Sequence, residues 1–116
     1  MSRIFEPETM TSDERSFLVY AETQCVDAGG LLEGIRMNAA DHIAAAAMVE
    51  AGLMRFGRMP ARLLGHENGP LRTHWCELTE SGWALASRLR QILASRRGPL
   101  ATEAFAEVAA REAEGA

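Results

Sequence analysis

A chain of 116 residues, 47% of them hydrophobic, has the length of one domain and enough apolar side chains for a core. Much of that share is alanine, which buries little area per residue. No run approaches the roughly 20 apolar residues that a membrane-crossing helix requires, and residues 1–10 are polar and acidic, unlike a secretory signal. The expectation is a cytoplasmic protein without a membrane partner. A net charge of −4 argues against an obligate nucleic-acid binder.

The charge is segregated along the chain. Residues 1–54 carry three arginines against nine acids, residues 55–99 eight against three, and residues 100–116 one against four. There is no lysine. Arginine forks onto phosphate and carboxylate and stacks on rings, so the basic middle suits DNA, an acidic protein surface, or ion pairs within the chain.

Thr11-Ser12-Asp13-Glu14 has the wording of a capping box, and Phe17, Leu18, Ala21 and Cys25 follow at helical spacing until Gly29-Gly30 stops the run. Residues 31–37 are apolar enough for a short second helix, although Gly34 weakens it. Asn38 is a good N-cap for a third helix, with Asp41 in its first turn. The stripe Ala40, Ile43, Ala44, Ala47, Met48 and Ala51 is the expected core face of that helix, and Gly52 its stop.

Residues 53–64 contain Gly57 and Pro60, so a strand there is short, irregular or at an edge. Residues 65–70 form a turn cluster, and residues 71–78 read as the returning strand of a two-stranded hairpin with a long tip. In that strand Arg72, His74, Cys76 and Leu78 share one side, and Leu71, Thr73, Trp75 and Glu77 the other. Thr79 caps a last strong helix with the stripe Gly82, Leu85, Ala86, Leu89, Ile92 and Leu93, its surface crowded by Arg88, Arg90, Arg96 and Arg97. Gly98-Pro99 breaks the chain. The division expected is an N-terminal segment 1–11, a domain 12–98, and an acidic helix or tail 99–116.

The order helix, short helix, helix, hairpin, helix is that of a winged helix-turn-helix, a mostly α fold with a small β-hairpin. Ala46-Ala47-Met48-Val49-Glu50-Ala51-Gly52-Leu53-Met54 resembles a helix end of the MarR-like branch, and Leu78-Thr79-Glu80-Ser81-Gly82 is similar to its Leu-Thr-x-x-Gly signature. The resemblance covers about residues 12–95. It implies a DNA-binding transcriptional regulator, often dimeric, whose third helix enters the major groove of double-stranded DNA while the hairpin contacts backbone or minor groove. Carried onto this chain, the contacting residues are Asn38, His42, Arg55, Arg58, Arg62, Arg72 and Trp75.

The third helix departs from that pattern. Its outward side would present Ala39, His42, Ala45, Ala46 and Val49, with Asn38, Asp41 and Glu50 toward the edges. Between residues 38 and 54 there is no Arg, Lys or Gln, and Asn38 is the one amide. Base reading rests on such side chains, and Asp41 and Glu50 repel phosphate. A helix apolar on both sides is covered on both sides, by another element, a second copy, or a foreign protein.

A second class of function therefore stands beside the first: a winged-helix scaffold that binds and inhibits a nucleic-acid-binding protein complex. Small acidic proteins of phages and mobile elements, some anti-CRISPR proteins among them, are similar in size and character. Glu6, Glu8, Asp13 and Glu14 would then stand in for phosphates. A third possibility is a homodimer formed by exchange of the C-terminal helix.

No catalytic constellation is expected, and no cofactor. The glycines lack a following Lys-Ser/Thr, no serine sits in Gly-x-Ser-x-Gly, and His42, His66 and His74 lack an orienting carboxylate at a diagnostic spacing. His66, His74 and Cys76 are too loosely spaced for a zinc module. Cys25 and Cys76 lie far apart in the sequence, form no CxxC pair and read as buried free thiols. Trp75 and Trp83 are of a type common at binding hot spots and also in half-buried core positions.

Overall fold

Reciprocal caps start the first two helices of the computed structural model, which describes residues 3–65 and 71–115. At helix α1 (Ser12–Asp27) the Glu14 N–H donates to Thr11 Oγ1 at 3.1 Å, and the Thr11 N–H donates to Glu14 Oε1 at 2.8 Å. At α2 (Ala39–Glu50) the Asp41 N–H donates to Asn38 Oδ1 at 2.9 Å, and the Asn38 N–H donates to Asp41 Oδ2 at 3.1 Å. Each box satisfies two backbone donors that a helix start otherwise leaves open. Asn38→Ala should destabilise the fold by about 1 kcal/mol, lowering the thermal midpoint by about 5 °C, and Asn38→Asp should restore it. Circular dichroism melts of the two variants check this.

The remaining elements are strand β1 (Leu31–Glu33), strand β2 (Met54–Arg58), a single 3-10 turn Ala61–Leu63, strand β3 (Arg72–Leu78), and helices α3 (Glu80–Ser95) and α4 (Pro99–Glu114). The chain is mostly helical with one small antiparallel sheet of order β1-β3-β2. The hairpin register is Met54↔Leu78, Phe56↔Cys76 and Arg58↔His74. β2 is an edge strand, and Pro60 follows it, where a missing N–H harms nothing. Of the turn cluster 65–70, residues 66–70, His66 among them, lie outside the described residues.

The short second helix expected over residues 31–37 is not formed. Residues 31–33 pair with β3 instead, and residues 34–36 turn into α2, so the hairpin belongs to a three-stranded sheet. The reason lies in Gly29 and Gly30, both at positive φ (64° and 91°). The Gly30 N–H closes onto the Gln24 carbonyl, and its Cα lies against the Cys76 carbonyl, where any Cβ would collide. The chain thus leaves α1 in contact with the free edge of β3, and Cys76 N–H donates to the Gly30 carbonyl at 2.8 Å. Six or seven residues interrupted by Gly34 cannot nucleate a helix against ready-made strand partners. Leu32 is then fully buried and Leu31 half-buried, the alternation of a strand.

The core lies between the sheet and α1, which also packs on α2 and α3. Phe17, Leu18, Leu32, Met48, Met54 and Leu89 are its largest fully buried side chains. Arg90 fastens α3 to α1, donating to Glu22 Oε1 at 2.8 Å and to the Thr23 hydroxyl. The N-terminal segment is docked as well. Met10 and Pro7 are buried, and the Arg3 guanidinium grips Glu14 at 2.6 and 2.8 Å. That grip, with the capping bond, holds the Glu14 carboxyl below its ordinary pKa.

α4 is the exception. Pro99 opens it at a position that suits a fixed φ, yet none of its residues is buried. The radius of gyration is 18.2 Å, against about 13 Å for a compact chain of this length. α4 projects from the body, with Leu100, Phe105 and Val108 exposed and the Arg97 guanidinium 4.0 Å from the Phe105 ring.

Candidate partner-binding surface

The orientation of α2 decides what this surface offers. Asp41 faces inward: its carboxylate accepts from Asn38 N and from Arg36 Nη1 at 2.6 Å, and the residue is buried. That tether rolls the helix so that Ala44, Ala45 and Met48 meet the core. Ala45, expected outward, is fully buried, and Ile43, expected in the core, is 72% exposed. Small side chains are what the contact with α1 requires, because Phe17 and Leu18 already fill the space there.

The outward face of α2 therefore consists of Ala39, Ile43, Ala46 and Val49, with Glu50 at the end. No described element covers it, and Val49 is 41% exposed. The apolar, uncharged character expected of this side holds, with Ile43 in place of Ala45. On one flank Ile43 lines a shallow cleft with Asp13, Thr11 and Ala40. On the other flank His42 leads onto the hairpin.

There the rings of His42, Phe56 and His74 form a cluster. His42 is 5.0 Å from His74 and 5.9 Å from Phe56, and Phe56 stacks on His74 at 5.4 Å with an interplanar angle of 7°. His74 is buried, with Nδ1 2.8 Å from Thr73 Oγ1. Burial, followed by His42 and Arg58, pushes its pKa below the ordinary 6.5. The fold thus holds the neutral ring, and folding releases protons between the two values. Stability should be full above about pH 6.5 and should fall as the pH drops through that value toward the folded pKa. An NMR titration of the His74 ring should give a midpoint below 6.5, and a midpoint at or above it would refute this account.

The seven residues singled out from the sequence do not converge. Asn38 is exposed, but its carbonyl oxygen is occupied by the α2 cap. By strand register Arg58 and Arg72 belong to the face of the sheet that carries Phe56 and His74, the two rings His42 meets. Arg55 and Trp75 occupy the opposite face. Arg55 pairs with Glu77 at 3.3 Å, and its guanidinium lies 5.7 Å from the Trp75 ring. Trp75 in turn lies across Gly57, where a Cβ would strike the indole. Arg62 sits apart, on the exposed 3-10 turn. Of the four N-terminal acids, Glu14 is buried in its ion pair and is not available to a partner, whereas Glu6, Glu8 and Asp13 are exposed.

No family model, curated protein or solved structure matches the chain. Among the described residues no three His, Cys, Asp or Glu side chains gather into a group that could hold a metal ion, and no described helix is long and apolar enough to cross a membrane.

On this surface Ile43 lies on the other side of α2 from the one its sequence pattern suggests, and the closeness of Cys25 to Cys76 is a feature the sequence does not announce, although both are free thiols as expected. For Ile43 a signal existed. A cap whose third-position carboxylate returns to the backbone, with Arg36 just upstream, draws Asp41 toward the preceding chain and so sets the phase of the helix. For the cysteines no local signal exists, since 51 positions separate them.

Proposed function

We propose that this protein is a binding module of winged-helix-like build that engages another protein through the outward face of α2. A helix lying ahead of a hairpin, a third strand paired beside it, and the Leu78–Gly82 junction into α3 support that build. The single observation that carries the partner class is the exposed strip Ala39, Ile43, Ala46 and Val49. Its centre is apolar and its margins are polar, with Asp13 on one flank, His42 on the other and Glu50 at the end. That is the anatomy of a protein–protein contact, apolar in the middle and polar at the rim. It is a poor reader of DNA, because no side chain on it donates a forked hydrogen bond to a base edge.

Pull-down of the tagged chain from a lysate of its source, with and without nuclease, tests this reading. A stoichiometric protein retained after nuclease treatment supports it, provided an α2-face variant fails to retain that protein. Retention that vanishes with nuclease overturns it.

One observation favours duplex DNA as a second reading. Arg58 and Arg62 on the hairpin are exposed and make no ion pair with a described residue. They would lie along a phosphate backbone, as the wing of a regulator does, and binding would weaken steeply with salt.

A further inference from the structure

Cys25, on the last turn of α1, and Cys76, in the central strand, place their sulfurs 3.6 Å apart, and both are free thiols. Contact at that distance is van der Waals contact; a disulfide bond is about 2.0 Å long, so the sulfurs must close by roughly 1.5 Å. Cys25 lies in the final turn of α1, directly before the Gly29-Gly30 reversal that seats the helix end against β3. The pair is also reachable. An open cleft of about 210 Å³ is lined by Cys25, Cys76, Gly29, Gly30, Glu77 and Trp83.

We propose that Cys25 and Cys76 form a redox site at which a hydroperoxide converts the two thiols to a disulfide tying α1 to the sheet. The two sulfurs are not equivalent. Cys76 is buried, and burial together with the neighbouring Cys25 pushes its thiol pKa up. Cys25 is only half-buried and is the one the reagent meets first. Its thiolate attacks one oxygen of hydrogen peroxide, the O–O bond breaks, and the departing hydroxide takes a proton to leave as water. Cys25 is then a sulfenic acid. The Cys76 sulfur attacks the Cys25 sulfur, the S–O bond breaks, and the hydroxide leaves as water with the Cys76 proton. Two thiols and one peroxide give one disulfide and two waters. The thiols lose two electrons to the peroxide.

No partner is needed for the test. The purified full chain is treated with stoichiometric hydrogen peroxide, alkylated, and digested after arginine. The expected product is an intact mass two daltons lower, and a peptide pair joining residues 16–36 to residues 73–88. The loop closed between Cys25 and Cys76 is long, so the oxidised chain should melt about 10 °C higher than the reduced one. In Cys76→Ser the same treatment should stop at a sulfenic acid on Cys25 that a cyclic diketone traps. Wild-type peptide mapping decides the matter even where that variant folds poorly. Disulfides between chains, over-oxidation of Cys25 with Cys76 still reduced, or two thiols unchanged by peroxide would each overturn the proposal.

Discussion

Gly82→Ala should lower the thermal midpoint by about 10 °C, although alanine is the better helix former. Gly82 lies in the first turn of α3, and a Cβ there would fall inside the van der Waals envelope of the Leu53 carbonyl oxygen. The same junction is tied from both sides. Thr79 N–H donates to Leu53 O at 3.1 Å, Thr79 Oγ1 donates to Gly52 O at 2.7 Å, and Gly82 N–H donates to Thr79 Oγ1 at 3.2 Å. Backbone held by that many bonds does not step aside. The added methyl gains about 1 kcal/mol in helix propensity and costs about 3 kcal/mol in overpacking. The clash wins by about 2 kcal/mol, which for a domain this small is near 10 °C. Gly98→Ala is the control: its Cβ would meet nothing within 4 Å, and α4 buries nothing, so the midpoint should move by less than about 2 °C. A fall of less than 3 °C for Gly82→Ala in a calorimetric scan would mean that the junction is not close-packed.

The same junction shows why part of this fold was legible in advance. Leu78-Thr79-Glu80-Ser81-Gly82 couples a cap to a close approach, and both are local requirements that only a few residue types meet. The caps at Thr11 and Asn38 and the stops at Gly29-Gly30 and Gly52 are of that kind too, whereas the inward face of β3 is not, because neither of its sides is cleanly apolar. The strand β1 was not legible, because residues 31–37 have no strong preference of their own and take their form from the free edge of β3. The phase of α2 was obscured by its own composition. With Ala at seven of its positions from 39 to 51, a helix has apolar residues on every side, and periodicity no longer distinguishes inside from outside. The Cys25–Cys76 contact and the His42–Phe56–His74 cluster are tertiary. No spacing rule reaches across the chain to find them.

Ile43→Glu should abolish partner binding, with at least a hundredfold loss of affinity, while leaving the fold intact. Ile43 is 72% exposed and lies in the middle of the outward face of α2, so its removal takes nothing from the core. The midpoint should shift by less than about 2 °C. In a complex the carboxylate would instead be desolvated at the centre of an apolar contact, where an unpaired charge costs several kcal/mol. Comparison with Arg58→Ala and Arg62→Ala separates the two classes of partner. If α2 meets a protein, Ile43→Glu loses the nuclease-resistant partner and the arginine variants weaken it only modestly, as rim substitutions do. If the hairpin instead tracks a duplex, each arginine variant should reduce the slope of log affinity against log salt by about one, measured by fluorescence anisotropy with a labelled duplex. Retention of a protein partner by Ile43→Glu at wild-type affinity would remove α2 from the interface, and with it the protein-binding reading.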